Sequence, residues 1–335
     1  MRTSARNLER ALVVVGAVLL AALVWRTGPG AILADIALVG WGFALIVAAE
    51  GPVIALSAAG WWYAIAPGSR RIPLHRLARF RIAGEAVNHL TPTATLGGEF
   101  VRARLAARYI GAPASAASVT LAKFTETAGQ YVFGLIGLVF VFDRLPGLSS
   151  YQGWAGVMAM AAICGVAALG VLLWHGIFST GARWLSRFGR FRSSVQHHRA
   201  NIFAVDDSIR QAFERRPGDI VRSTLILALS FSLRAIEVWI ILTCLGLPAT
   251  LVNCVGIEVL SVLVNSVFFF VPAKVGTQEG GKMLIFALLG LPPEKGLVLG
   301  LIRRARELTW DVAGLVLYAL ERRRTGAAEE TVSST

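Results

Sequence analysis

The sequence predicts an all-α polytopic membrane protein of about seven to eight transmembrane helices, with two broken or re-entrant segments in a two-fold internal repeat. Three observations point there. Of 335 residues, 55% are hydrophobic and 16% charged, whereas a soluble domain carries about 25% charge. Several apolar stretches reach the ~20 residues needed to cross a bilayer core. A Pro–Gly–Glu pattern within apolar sequence also occurs twice, in corresponding places of the two halves.

Taken in order, the expected spans are Leu8–Trp25, Leu38–Ala66, Ser115–Phe142, Gly153–His175, Ile220–Leu245, Leu251–Val271 and Gly296–Leu320. Arg2, Arg6 and Arg10 precede the first apolar run, and Trp25 and Arg26 follow it where a signal peptide would place small residues. This reads as an uncleaved first span. The N-terminus and the stretches Arg70–Arg108 and Arg183–Arg222 are arginine-rich, while Gly28–Asp35, Asp143–Gln152 and Gly246–Thr250 are nearly free of Lys and Arg. The positive-inside rule then predicts a cytoplasmic N-terminus in a bacterial-type inner membrane. Trp184, Phe188, Phe191, Val195, Ile202, Val205, Ile209 and Phe213 recur at helical steps. That predicts a cytoplasmic amphipathic helix over about residues 177–216, on the inner leaflet or packed beneath the bundle. The expected organisation is one transmembrane domain over 1–321, with repeat halves near 36–142 and 220–320. A basic, then disordered, tail is expected over 322–335.

The net charge is +13, and lysine occurs only at Lys123, Lys274, Lys282 and Lys295. The arginines flank hydrophobic segments, so they set topology and meet anionic lipid heads rather than nucleic acid. Cys164, Cys244 and Cys254 lie in apolar segments without a CxxC, as small hydrophobes do. No HExxH, Walker loop, GxGxxG or GxSxG context is present. No catalytic residue, metal site or cofactor is therefore expected. Asp206–Asp207 reads as a polar helix face, and His197–His198 as a solvated pair.

The repeat is the most informative feature. Pro92, Gly97, Gly98 and Glu99 correspond to Pro272, Gly276, Glu279, Gly280 and Gly281. A basic-x-x-acid pair follows each, Lys123–Glu126 and Arg304–Glu307, at intervals of 24 and 25 residues from Glu99 and Glu279. Paired, Gly/Pro-interrupted hydrophobic segments point to a transporter's binding region. Broken helices free backbone groups that only protein or a water-filled cavity can satisfy. Glu50, Arg234, Glu237, Glu258, Arg303, Arg306 and Asp311 also fall inside apolar runs. Lys123–Glu126, Arg234–Glu237 and Arg304–Glu307 are spaced to neutralise themselves along one helix face. Arg303 and Arg306 then read as spare cations suited to an anionic headgroup. Four spans lie between the broken segments. That count makes the repeats parallel and puts Arg322–Arg324 outside, against the positive-inside rule. A crossing by Ala273–Leu291 would return the tail and permit an inverted arrangement.

At Asn88-x3-Pro92, Gly97-Gly98-Glu99-x2-Arg102, Val271-Pro272, Gly276-x2-Glu279-Gly280-Gly281, Gly290-Leu291-Pro292 and Arg303-Arg304-Ala305-Arg306-Glu307, the chain resembles the flippase-like membrane family that includes the transmembrane region of lysylphosphatidylglycerol synthases. Its closest look is to hopanoid-biosynthesis-associated members. The soluble aminoacyl-transferase domain of the synthases has no counterpart here. The resemblance implies translocation of a lipid, such as a phospholipid or hopanoid. On that reading Arg102, Lys123, Arg303, Arg304 and Arg306 hold an anionic headgroup. Asn88, Glu99, Glu126, Glu279 and Glu307 line the cavity or orient those cations, and Pro92, Gly97, Gly98, Pro272, Gly276 and Gly280 break the backbone. The alternative is a non-catalytic scaffold or accessory subunit. Expected partners are membrane lipids and lipid-synthesis enzymes.

Overall fold

A computed structural model describes residues 18, 21–90, 96–142, 152–187, 189–267 and 276–333, which are helical with no strand among them. The chain enters through α1 (Ala21–Thr27) and α2 (Pro29–Val39), which meet at 88°. Gly28 sits at φ 92 with Pro29 opening the next helix, a pairing that turns the chain and restarts it. A helix therefore occupies most of the stretch the sequence suggests as a loop, because its polar residues are few.

Helices α3 (Gly42–Ala64) and α10 (Pro217–Cys244) form an antiparallel pair at the centre. At one end Ser223 Oγ donates to the Gly60 carbonyl at 2.9 Å, and a Cβ on Gly60 would lie 2.7 Å from Leu227. At the other, a Cβ on Gly42 would lie 2.7 Å from Cys244 Sγ. Small residues at both ends let the backbones close, as in membrane helix packing generally. Helix α6 (Ala112–Phe142) runs parallel to α10, with Thr125 beside Ser223 (2.8 Å) and Gly129 against Thr224 and Ala228. These three helices are long and apolar enough to span a membrane. Two bent pairs, α1 with α2 and α7 (Gln152–Trp174) with α8 (Ile177–Leu185), raise that number to as many as five among the described residues if each pair is one broken span. Large apolar side chains such as Trp41, Leu45, Ile136, Val139 and Trp239 are exposed around the bundle, as a lipid-facing surface requires.

Both broken segments are helical hairpins. In the first, α4 (Leu74–Leu90) and α5 (Leu96–Ile110) lie antiparallel. The Gly98 N–H donates to Asn88 Oδ1 at 2.6 Å, and a Cβ on Gly98 would come within 2.0 Å of the Gly84 carbonyl oxygen. In the second, α11 (Leu251–Val267) and α12 (Thr277–Leu288) are antiparallel, with Gly281 against Val264 and Gly256 against Leu289. Each hairpin is followed by a long helix folded back on it, α6 in one case and α13 (Pro293–Ser333) in the other.

The two hairpin-plus-helix units run in opposite directions. Gly314 of α13 lies against Ile82 and Ala86 while Asp311 reaches His89, so α13 is antiparallel to α4. Gly134, Gly137 and Val141 meet Val262, Val259 and Gly256 in turn, so α6 is antiparallel to α11. With α3 and α10 added, α3–α6 and α10–α13 form an inverted repeat. The sequence count of four intervening spans fails at Leu251–Val271. Helix α11, described over Leu251–Val267, is met by α12 running antiparallel to it, with Gly281 against Val264 and Gly256 against Leu289. It is the first arm of the second hairpin, so three spans intervene and the orientation flips. Expected-span counting also includes Gly296–Leu320, whose charges disqualify it on apolarity. Arg303, Arg306 and Asp311 of that helix are buried in the protein.

This topology returns α13 to the face where α4 and α10 begin. There Arg70 pairs with Asp219 at 2.7 Å, Arg216 donates to the Ile65 carbonyl at 3.1 Å, and Tyr318 packs on the cluster containing Ile72 and Leu77. The backbone stays helical through Ser333, into the segment that reads as a tail. The amphipathic stretch is two helices, α8 and α9 (Gly189–Arg215). Ile209 and Ala212 are buried, and Phe213 meets Phe124 of α6 at 5.5 Å between ring centres. Helix α9 is thus packed beneath the bundle. Asp206 is buried rather than solvated: it accepts the N–H groups of Phe178 (3.3 Å) and Ser179 (2.6 Å) at the start of α8, an anchor at the positive end of a helix.

Candidate functional site

The charges that apolar sequence is least able to carry are gathered into two chains of ion pairs, one per unit. In the first, Arg81 of α4 meets Glu126 of α6 at 2.5 Å. Lys123 lies 3.5 Å from Glu126 and 3.9 Å from Glu99. Arg102 of α5 pairs with Glu99 at 3.1 Å and with Glu85 of α4 at 2.5 Å. Three cations and three carboxylates thus alternate and tie α4, α5 and α6 together. Desolvated charges at membrane depth persist only in such company.

The second chain is built on α13. Arg303 bonds Glu258 of α11 and lies 3.3 Å from Glu237 of α10. Arg306 bonds Glu50 of α3 and lies 3.4 Å from Glu237. Arg304 pairs with Glu279 of α12 at 3.2 Å and with Glu307 at 3.4 Å. Glu279 uses its other oxygen to accept the Gly276 N–H at 2.8 Å. This fixes the start of α12, where Gly276 adopts φ 76, a conformation costly to other residues. The repeat is therefore physical: Lys123 joins Glu99 and Glu126 in one unit as Arg304 joins Glu279 and Glu307 in the other.

All five cations suggested by sequence for a headgroup, Arg102, Lys123, Arg303, Arg304 and Arg306, are engaged with carboxylates. Arg303 and Arg306 are not spare, because Glu50, Glu237 and Glu258 reach them from three other helices. Arg234 differs. It shares a helix with Glu237, but Glu237 turns to Arg303 and Arg306. The Arg234 guanidinium lies over the Phe231 ring at 5.3 Å; its buried Nε, like those of Arg102, Arg303 and Arg306, has no hydrogen-bond partner among the described residues. No carboxylate comes within ion-pair distance of it among the described residues.

Arg234 lines a central cavity of about 100 Å³ between the two units, with Glu50 and Ser57 of α3, Arg81, Glu85 and His89 of α4, and Arg306, Glu307 and Asp311 of α13. That volume holds several waters. His89 Nδ1 lies 2.8 Å from Asp311 Oδ1. A larger, mainly apolar groove of about 640 Å³ runs between α6, α10 and α11, past Phe133, Ile136 and Trp239.

Of the other site residues suggested by sequence, Asn88 and Gly98 join the hairpin arms. Gly97 lies in the first turn of α5, and Gly280 lies 3.7 Å (measured from a built Cβ) from Leu23 of α1. Pro92 and Pro272 lie outside the described residues. Sequence reasoning missed Arg81, Glu85 and His89 as site residues. Their available signal was position: they recur every four residues along one face of the arm preceding Pro92.

A family profile described as the lysylphosphatidylglycerol synthase TM region matches residues 11–312. A UPF0104 membrane protein of Methanothermobacter thermautotrophicus is 24% identical over 326 residues, covering 92% of this chain and 94% of the relative. No solved structure matches significantly.

Proposed function

The chain belongs to the lysylphosphatidylglycerol synthase TM region family, and on that premise we propose that it is a flippase-like transporter that moves a lipid with a polar or anionic headgroup, such as a hopanoid or phospholipid. The observation that carries this reading is the cavity between two oppositely oriented hairpin units, walled by charge and holding the Arg234 guanidinium, which has no carboxylate within ion-pair distance among the described residues. Inverted repeats meeting at a polar midplane site are the architecture of alternating access. Arg234 meets the headgroup phosphate, for which a guanidinium is well shaped. Arg81 and Arg306, with Glu50, Glu85 and Glu307, form the polar wall along which the headgroup passes, and the engaged cations Arg102, Lys123, Arg303 and Arg304 hold the surrounding helices together. Acyl chains remain in lipid, beside the apolar groove of α6, α10 and α11. The face bearing Arg70, α9 and the end of α13 is cytoplasmic, and the membrane is the inner membrane. On this assignment Arg322–Arg324 obey the positive-inside rule.

Purified protein in liposomes is expected to speed exchange of a headgroup-labelled lipid between leaflets. Arg234→Gln should lower that rate about tenfold or more, the loss typical of one charged hydrogen-bond partner, while the protein stays monodisperse. No acceleration with phospholipid, hopanoid or polyprenyl lipid would sink the transporter reading and leave the accessory-subunit role.

A further inference from the structure

We propose that His89 and Asp311 together hold one exchangeable proton, and that its release loosens α4 from α13 and opens the central cavity, so that transport is coupled to protons. The coupling rests on the transporter reading, but the proton site does not.

Chemistry singles out this pair. The other cations lining the cavity, Arg81, Arg234 and Arg306, keep their protons at any pH a cell meets. Histidine changes charge within that range. His89 stands in the last turn of α4, where the helix carbonyls favour a positive ring. Its bond to Asp311 joins the first hairpin to the long helix of the opposite unit. Its side chain is 40% exposed and that of Asp311 10%, so the ring is open to the cavity while the carboxylate is shielded.

The surrounding charges are balanced. Glu50 faces the pair from α3, Arg81 and Glu85 from α4, Arg234 from α10, and Arg306 and Glu307 from α13. On the remaining neighbours, Glu99 and Arg102 of α5 are paired with each other. Glu279 of α12 is held by Arg304, with Lys282 buried beside it, and Asp35 of α2 is held by Lys295. Three carboxylates thus face three guanidiniums across the cavity, and the pair's own proton decides the net charge. Bound, the proton gives an imidazolium–carboxylate pair of zero net charge. Released to cavity water, it leaves a neutral ring and an uncompensated Asp311, which draws in water and weakens the tie between the units.

Two measurements in proteoliposomes test this. Spin labels on α4 and α13, with native cysteines replaced by serine, should report a distance that lengthens as pH rises through the histidine range. His89→Gln and Asp311→Asn should abolish that change, and His198→Gln on α9 should leave it intact. A pH gradient should bias transfer of a headgroup-labelled phospholipid by up to about tenfold per pH unit in the wild type and not in His89→Gln. A distance indifferent to pH, together with transfer indifferent to the gradient, overturns the proton site and leaves lipid translocation standing. A distance that depends on pH through His89, in a protein that moves no lipid, keeps the proton site and removes the lipid reading.

Discussion

Arg306→Ala is expected to destabilise the protein by about 3–5 kcal/mol, the usual cost of breaking a buried ion pair from one side. Arg306 is 6% exposed and serves Glu50 of α3 and Glu237 of α10 at once. Its removal leaves both carboxylates desolvated, with Arg303 the remaining partner of Glu237. Arg306→Lys should recover only part of the loss, because an ammonium lacks the planar fork that reaches two acceptors. Arg304→Ala should cost less, since Arg304 is 28% exposed and water can replace it. A triple variant, Arg306→Met with Glu50→Gln and Glu237→Gln, should lie closer to wild type than Arg306→Ala alone, because neither carboxylate is left without its arginine. Thermal unfolding in detergent, followed by loss of monodispersity, ranks the four. Arg304→Ala proving as harmful as Arg306→Ala would contradict the assignment of Arg306 as the hub.

Gly98→Val is expected to prevent the first hairpin from closing, at a cost of about 3 kcal/mol or more, the upper end for overpacking. Even a single carbon at position 98 would lie 2.0 Å from the Gly84 oxygen and 2.5 Å from the Asn88 side chain. The obstruction is partly backbone, which cannot rotate aside. The Gly98 N–H bond to Asn88 would be lost, and Arg102 would be drawn away from Glu85. Gly280→Ala is the control, because its added carbon would meet Leu23 at 3.7 Å, an ordinary contact. Introduced cysteines on facing positions of α4 and α5 should cross-link readily in wild type and Gly280→Ala, and slowly in Gly98→Val.

What the sequence reveals of this molecule, and what it hides, follows from the range of each interaction. The repeat was legible because Glu99 and Glu279, with Lys123–Glu126 and Arg304–Glu307, are local marks at matched intervals. The helical periodicity of Val205, Ile209 and Phe213 was legible for the same reason. Orientation was not, since it turned on whether the apolar run beginning at Leu251 crosses the bilayer or turns back as a hairpin arm, and hydropathy is the same either way. Partner choice was hidden too. Arg234 and Glu237 share a helix face, yet Glu237 binds Arg303 and Arg306 from far along the chain. An i,i+3 spacing shows that two groups can meet, not that no third group competes. Arg303 and Arg306 read as spare for that reason, while Arg234, which has no carboxylate within ion-pair distance among the described residues, read as paired.

The dependence of α13 on acids from three other helices bears on how the protein is made. A helix carrying Arg303, Arg304, Arg306, Glu307 and Asp311 is a poor client for the translocon, at roughly 2.5–3.5 kcal/mol per charge at a helix centre. Glu50, Glu237 and Glu258 impose the same burden on α3, α10 and α11, which are synthesised first. These acids must wait in a half-built bundle for arginines that leave the ribosome later. Biogenesis therefore has a vulnerable interval, which ends when α13 docks. A chain truncated after Pro292 is expected to be degraded rapidly in a pulse-chase experiment, and supplying residues 293–335 as a separate peptide should extend its lifetime.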